Sequence, residues 1–253
     1  MSERRRDGVG ANTAPSADEK ASDAAAPTLP PIDPRLSVWL SPGFPVGAFA
    51  YSHGLELAAD RRWIAGRDGV ELWLRDLLER GSLRNDLIIA SAAWRATSAC
   101  NWPDLVSVHD LALALQPSAE RHLEAVTQGN AFMMAIAASW PNTALDAARE
   151  TAAGDIAYPV AVGLTSAAHA IDLDGTLVAY AIAFVSNLVS AAIRLSLIGQ
   201  TDGQRIIAAL LSPIHDTARA VAGTTLADLG SATLRSDLAS LAHETQYSRL
   251  FRS

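Results

Sequence analysis

Six histidines and one cysteine are the side chains best suited to metal or nucleophilic chemistry in this 253-residue chain. The histidines are His53, His109, His122, His169, His215 and His243. No two stand at i, i+3 or i, i+4, the spacings at which one helix turns two imidazoles toward one ion. A cage assembled from distant residues stays open, but no local segment points to one. Cys100 precedes Asn101-Trp102-Pro103 with no base beside it, so it reads as an inert thiol. A lone cysteine also forbids an intrachain disulfide. The chain has no G-x-S-x-G elbow, G-x-G-x-x-G turn, H-E-x-x-H pair or Asp-rich metal box. Lys20 is the single lysine, so a Walker A loop, a Schiff base or a lysine general base has no residue to use in the later chain.

Three polar segments are unusual for plain helical scaffolding. The first runs from Ser41 to Glu56, Ser-Pro-Gly-Phe-Pro-Val-Gly-Ala-Phe-Ala-Tyr-Ser-His-Gly-Leu-Glu. Pro42 and Pro45 fix φ, and Gly43 and Gly47 open turns closed to other residues. A rigid loop is expected to feed a helix carrying Tyr51, Ser52, His53 and Glu56. The second segment is Gly199-Gln200-Thr201-Asp202-Gly203-Gln204-Arg205, where Thr201 and Gln204 match a capping box. The third runs from His243 to Ser253 and places Tyr247, Leu250 and Phe251 beside Arg249 and Arg252. Tyrosine and arginine are enriched in interface hot spots. From the pattern alone, this segment docks either on its own domain or on another protein.

The elements that must position these segments read as helices almost throughout from Leu36. Asp68 and Glu71 look like a capped start, followed by Val70, Trp73, Leu74, Leu77 and Leu78 at helical spacing until Gly81. Leu87, Ile88, Ser91 and Trp94 continue the pattern. Pro103 marks a helix start that Pro117 closes, and Ser118 can cap a longer helix to Trp140. Further helices are expected around Thr143 to Ala153, after Pro159, over 175–198, from Thr201, and over about Thr233 to Thr245. No stretch keeps the strand alternation for long. The expected fold is all-α, a single bundle-like domain of about ten helices.

Composition agrees. The chain is 49% hydrophobic and 19% charged, with a net charge of −7, which gives no global argument for nucleic-acid binding. Residues 1–35 hold Arg4-Arg5-Arg6, a polar Ala/Ser/Asp/Pro mixture and then Pro27, Pro30, Pro31 and Pro34, and are expected to form a disordered tail. No apolar run follows the arginines, so they do not read as a signal peptide, and a cytoplasmic protein is expected. Leu177 to Ile193 is uncharged and near the lower length limit for a membrane span. Tyr180, Ser186, Asn187 and Ser190 interrupt it, which favours a buried core helix.

In this order and at these positions, the three segments resemble the UreF family of urease accessory proteins. The first matches its Ser-Pro-x-x-Pro-x-Gly-x-(Phe/Tyr)-x-(Tyr/Phe)-Ser-x-Gly-Leu-Glu block, with Phe44 where a smaller residue is expected. Tyr158 to Gly163, Asn187 to Arg194, the Gly-Gln-Thr-Asp-Gly-Gln loop and the terminal His-Glu-Thr-x-Tyr-Ser-Arg-Leu-Phe-Arg-Ser extend the likeness over about 36–253. The resemblance implies an all-α, dimeric maturation factor that is not an enzyme. It implies binding to UreD (also called UreH), recruitment of the GTPase UreG, and delivery of nickel to apo-urease. Nickel would be in transit, with no tightly bound cofactor and no stable metal site, and GTP would belong to UreG. A water-filled internal passage has been proposed in the family.

On matching positions, the resemblance implies partner contacts at Tyr247, Arg249, Leu250, Phe251 and Arg252. A second contact region would hold Tyr51, Ser52 and Glu56. Transient nickel contact would fall on His53, Glu56 and Asp202. Two other readings remain: an all-α enzyme acting on a small apolar molecule, which requires a pocket with convergent acids, and a membrane-inserted helix at 177–193.

Overall fold

The computed structural model describes residues 32–151 and 154–253, and among them no residue is in a strand. The expected disordered tail therefore lies outside the described residues except for its last few positions. Of those, Pro34 and Arg35 already belong to helix α1, Pro34–Trp39. Asp33 caps it by accepting from the Arg35 amide at 2.8 Å.

Helix α2 is short, Leu55–Asp60. A tight pair follows, α3 (Gly66–Arg80) and α4 (Ser82–Ser98), separated by Gly81 alone. Asn101 caps α5, Trp102–Ala114, whose start Pro103 marked, and Ser118 caps α6, Ala119–Ser139, as its sequence pattern indicated. After α7 (Thr143–Thr151) come α8 (Tyr158–Ala168), α9 (Leu173–Arg194), α10 (Gln200–Val221) and α11 (Leu234–His243).

Two expected caps are not formed. Helix α3 starts at Gly66 behind Ala65, and Asp68 sits inside its first turn. Helix α10 starts at Gln200 behind an extended Gly199, so Thr201 is already helical and makes no capping box. In both places the backbone turns earlier than the side-chain pattern suggests. A capping box does form at Thr225 and Asp228, before the last helix.

One core joins these helices. Helix α4 packs along α8, and α9 packs against α10 and α4. Small residues permit the close approach: a Cβ on Gly163 of α8 would lie 2.3 Å from the Ala90 carbonyl oxygen of α4. Helix α9 is the one described helix long and apolar enough to cross a membrane, with a mean hydropathy of 1.9 in that window. Leu177, Ala181, Val185 and Leu188 are buried on its inner face, so its apolar character is spent on the core.

Phe44 is buried too, with ring centroids 5.4 Å from Phe132 and 6.1 Å from Trp140. Trp39 meets the same Phe132 edge-on at 6.5 Å. The large residue at position 44 thus pins the proline-rich loop to α6. Gly47 has φ +72°, the left-handed turn expected of it.

Gly163→Ala should lower stability by about 1–3 kcal/mol, because the α4 backbone must give way. Denaturant unfolding measures this, and an unchanged midpoint would contradict the close approach.

Candidate functional site

The loop before α2 does not continue that helix. Residues Ala48–Ala50 make one 3-10 turn, and Tyr51 is extended. His53 and Gly54 both take left-handed φ, +54° and +74°. The expected helix carrying Tyr51, Ser52 and His53 is therefore absent, and only Glu56 lies on α2. Two successive left-handed residues bend the chain sharply, so the Ser52 and His53 side chains enter the interior. Gly54 also admits α11: a Cβ there would lie 2.8 Å from the Ser240 amide nitrogen. Ser240 in turn meets Ser118, the α6 cap, at 2.6 Å between hydroxyls.

The segment from His243 to Ser253 docks on its own domain, against this loop. Glu56 holds it. One Glu56 oxygen accepts from the Leu250 amide at 2.6 Å and the other from the Phe251 amide at 2.9 Å. The Ser52 amide donates to the Ser253 carbonyl at 2.7 Å, and the Ser52 hydroxyl donates to it at 2.5 Å. The Arg252 amide donates to the Ala50 carbonyl at 2.8 Å. Phe251 is 4% exposed, and the Arg194 guanidinium lies 4.3 Å from its ring centre.

A fully buried imidazole supports the clamp from below. His243 Nε2 lies 3.2 Å from Glu56, and its Nδ1 lies 2.6 Å from Glu120. A ring with protons on both nitrogens donates to both carboxylates. The second Glu120 oxygen pairs with Arg249. Glu244 accepts from the Ala119 amide at 2.7 Å, fixing the end of α11 to the first turn of α6.

Deeper lies a second polar cluster. Arg121 donates to Glu124 at 2.5 Å, and His53 Nε2 lies 2.8 Å from both. Gln128 donates to Glu124 at 2.8 Å, and the Ser253 hydroxyl donates to it at 2.7 Å. The docked segment therefore ends on this cluster. Burial alone would lift the Glu124 carboxyl, but Arg121, then His53 and Ser253, outweigh it and hold it at about 2. Burial and then Arg121 push the His53 imidazole below its ordinary value, against the pull of Glu124. Asp86, beside the cluster, accepts from the Tyr180 hydroxyl at 3.1 Å. Burial lifts its carboxyl to about 6, although Arg121 and the Tyr180 bond oppose the rise.

The sequence-derived residues thus fall into three groups. Tyr51, Ser52, Glu56 and Phe251 are buried within the docked arrangement. They offer no open contact face; the second contact region expected at Tyr51, Ser52 and Glu56 is occupied by the chain's own segment. Tyr247 is fully exposed, Leu250 is 62% exposed, and Arg249 and Arg252 also reach solvent. His53, Glu56 and Asp202 do not make one site. His53 belongs to the deep cluster and Glu56 to the clamp, while Asp202 pairs with Arg205 at 3.1 Å on α10. Among the described residues, no group of three or more His, Cys, Asp or Glu is placed to hold a metal. Arg121, Glu124, Gln128 and Asp86 were not singled out from sequence. Arg121, Glu124 and Gln128 carry a signal in α6, three long polar residues at i, i+3 and i+7 on the face that also carries Ala125 and Phe132; Asp86 stands on α4 with no such pattern beside it.

Fold and clusters define a helical protein whose polar interior positions a peptide segment on its surface. The UreF family model matches residues 64–211. A urease accessory protein UreF of Methylobacterium radiotolerans is 51% identical over 87% of this chain and 96% of its own length. The UreF of Xanthobacter autotrophicus is 48% identical over 97% of this chain and 98% of its own. That of Azorhizobium caulinodans is 48% identical over 88% and 97%. The chain belongs to the UreF family of urease accessory proteins. Its role is accessory to urease maturation, and it is not itself an enzyme.

Asp86 gives the site a pH signature. Its folded-state value lies above the unfolded one, so its contribution is most favourable below about 4 and is lost as pH rises through about 6. Asp86→Asn removes that loss. Its stability relative to the parent should be higher at pH 8 than at pH 5, by on the order of 1 kcal/mol. Paired urea titrations at the two pH values check this; a pH-independent difference would contradict it.

Proposed function

We propose that the chain is an adaptor for nickel insertion. It binds UreD (UreH), recruits the GTPase UreG, and brings both to apo-urease for nickel delivery. GTP is held by UreG, and nickel is in transit rather than stored. The chain works as a homodimer in the cytoplasm. Any contact with nickel is transient, with His53, Glu56 and Asp202 as its separate candidate positions.

The observation that carries this reading is the orientation of the docked segment. Its backbone and Phe251 are fixed inward, while Tyr247, Leu250 and Arg252 point to solvent, and Arg249, paired with Glu120, is partly exposed beside them. Ordering a segment whose aromatic and cationic side chains stay exposed makes sense if a partner covers them. Fixing them beforehand lowers the entropy cost of that association. The aromatic group would fill a pocket, and the guanidiniums would pair with carboxylates or carbonyls.

Tyr247 and Arg252 are exposed, and among the described residues neither side chain is seen in a hydrogen bond or ion pair. Tyr247→Ala or Arg252→Ala should therefore leave the melting temperature unchanged. Each should weaken association with UreD or UreG by about 1–3 kcal/mol. Calorimetric titration with purified partners reads this directly. Unchanged dissociation constants for both variants and both partners would overturn the assignment.

A further inference from the structure

A cavity of about 400 Å³ reaches from the surface to the deep cluster. Its size falls in the ~300–1,000 Å³ range of small-molecule sites. Pro42, Phe49 and Ser190 stand exposed at its rim. Leu36, Phe44, Val46 and Phe184 supply apolar walls, and Asp86, His53, Arg121 and Glu124 form the floor.

The floor is unbalanced in a particular way. Arg121 and Glu124 are paired to each other, so their charges cancel. That leaves Asp86, 7% exposed, whose carboxylate accepts one hydrogen bond among the described residues, from Tyr180. A buried carboxylate with unfilled acceptor positions is costly unless a donor or cation completes it. His53 Nδ1 at the same floor is likewise buried with no hydrogen-bond partner among the described residues. A carboxylate short of donors at the end of an apolar channel favours a ligand with an alkyl stem and a cationic, donor-rich head.

We propose that this cavity binds an alkylammonium group, with the alkyl chain along the Leu36, Phe44 and Phe184 walls and the ammonium against Asp86. The group is that of a free amine or of a lysine side chain inserted from a partner. The site shares Glu124 with the end of the docked segment but none of its outward-facing side chains, so amine binding is read separately from partner association.

The groups facing Asp86 are Tyr180 on α9, Arg121 and Glu124 on α6, Tyr158 on α8 and His53 on the loop. Burial holds Tyr158 and Tyr180 neutral over the usual range, and Glu124 stays ionised. Asp86 is the group that changes charge near neutrality, at about 6. Ammonium binding should therefore weaken as pH falls below that value.

The test titrates the full chain with n-pentylammonium, pentanol and pentanoate, reading the NMR shifts of the Tyr180 and Phe184 rings. Pentylammonium should bind at least tenfold more tightly than the other two at pH 8. It should lose about tenfold at pH 5, where Asp86 is mostly protonated. Asp86→Asn, folded by its unchanged amide spectrum, should bind pentanol and pentylammonium alike. Nα-acetyl-lysinamide separates the two sources: binding assigns the site to a lysine side chain, and exclusion with pentylammonium bound assigns it to free amines. Equal affinities for the three pentyl compounds in the parent protein, or no shift at either ring, would overturn the proposal. So would pH-independent pentylammonium binding.

Discussion

The Glu56 carboxylate is where the two ends of this domain meet. It sits in the first turn of α2 and accepts from two successive amides, of Leu250 and Phe251. A hydrogen bond to a charged acceptor contributes roughly 1.5–3 kcal/mol, against the ~1–2 kcal/mol needed to order one residue's backbone. Two such bonds on neighbouring residues are enough to hold a segment that would otherwise fray. The left-handed pair His53 and Gly54 is needed to place Glu56 there, and Gly54 is also what lets α11 pass close by. Loop, helix and final segment are therefore one structural unit, although some 190 residues separate them.

The unit reaches inward through Ser253. Its carbonyl accepts from Ser52 and its hydroxyl donates to Glu124. Glu124 also holds Arg121, His53 and Gln128. A change in the segment's position is thus felt by the deep cluster, and the reverse holds. Ion pairs so buried contribute little net stability, because desolvation offsets their attraction. Removing one partner, however, leaves an uncompensated charge, so the arrangement is specific more than it is strong.

Much of the fold was legible because helix signals are local. Pro103, Ser118 and the Val70 to Leu78 periodicity all mark helices that exist. The false caps show the limit of that locality: Thr201 and Gln204 match a capping box, but the extended Gly199 starts the helix before them. The 41–56 and 243–253 segments were visible as unusual, yet their mutual contact was not. It depends on two left-handed residues, one of them a histidine, and nothing in composition announces that. Asp86, Arg121 and Glu124 were hidden for a related reason. Each reads as an ordinary surface charge until tertiary packing closes over it.

The central claim is that Glu56 pre-organises the final segment for a partner. The most direct measurement is the affinity of UreD for Glu56→Gln, which preserves shape and removes the charge. The account predicts weaker binding, by about tenfold or more, with the exposed Tyr247 and Arg252 side chains unchanged in sequence. Equal or tighter binding would mean the segment must leave Glu56 to engage its partner, and would contradict the account.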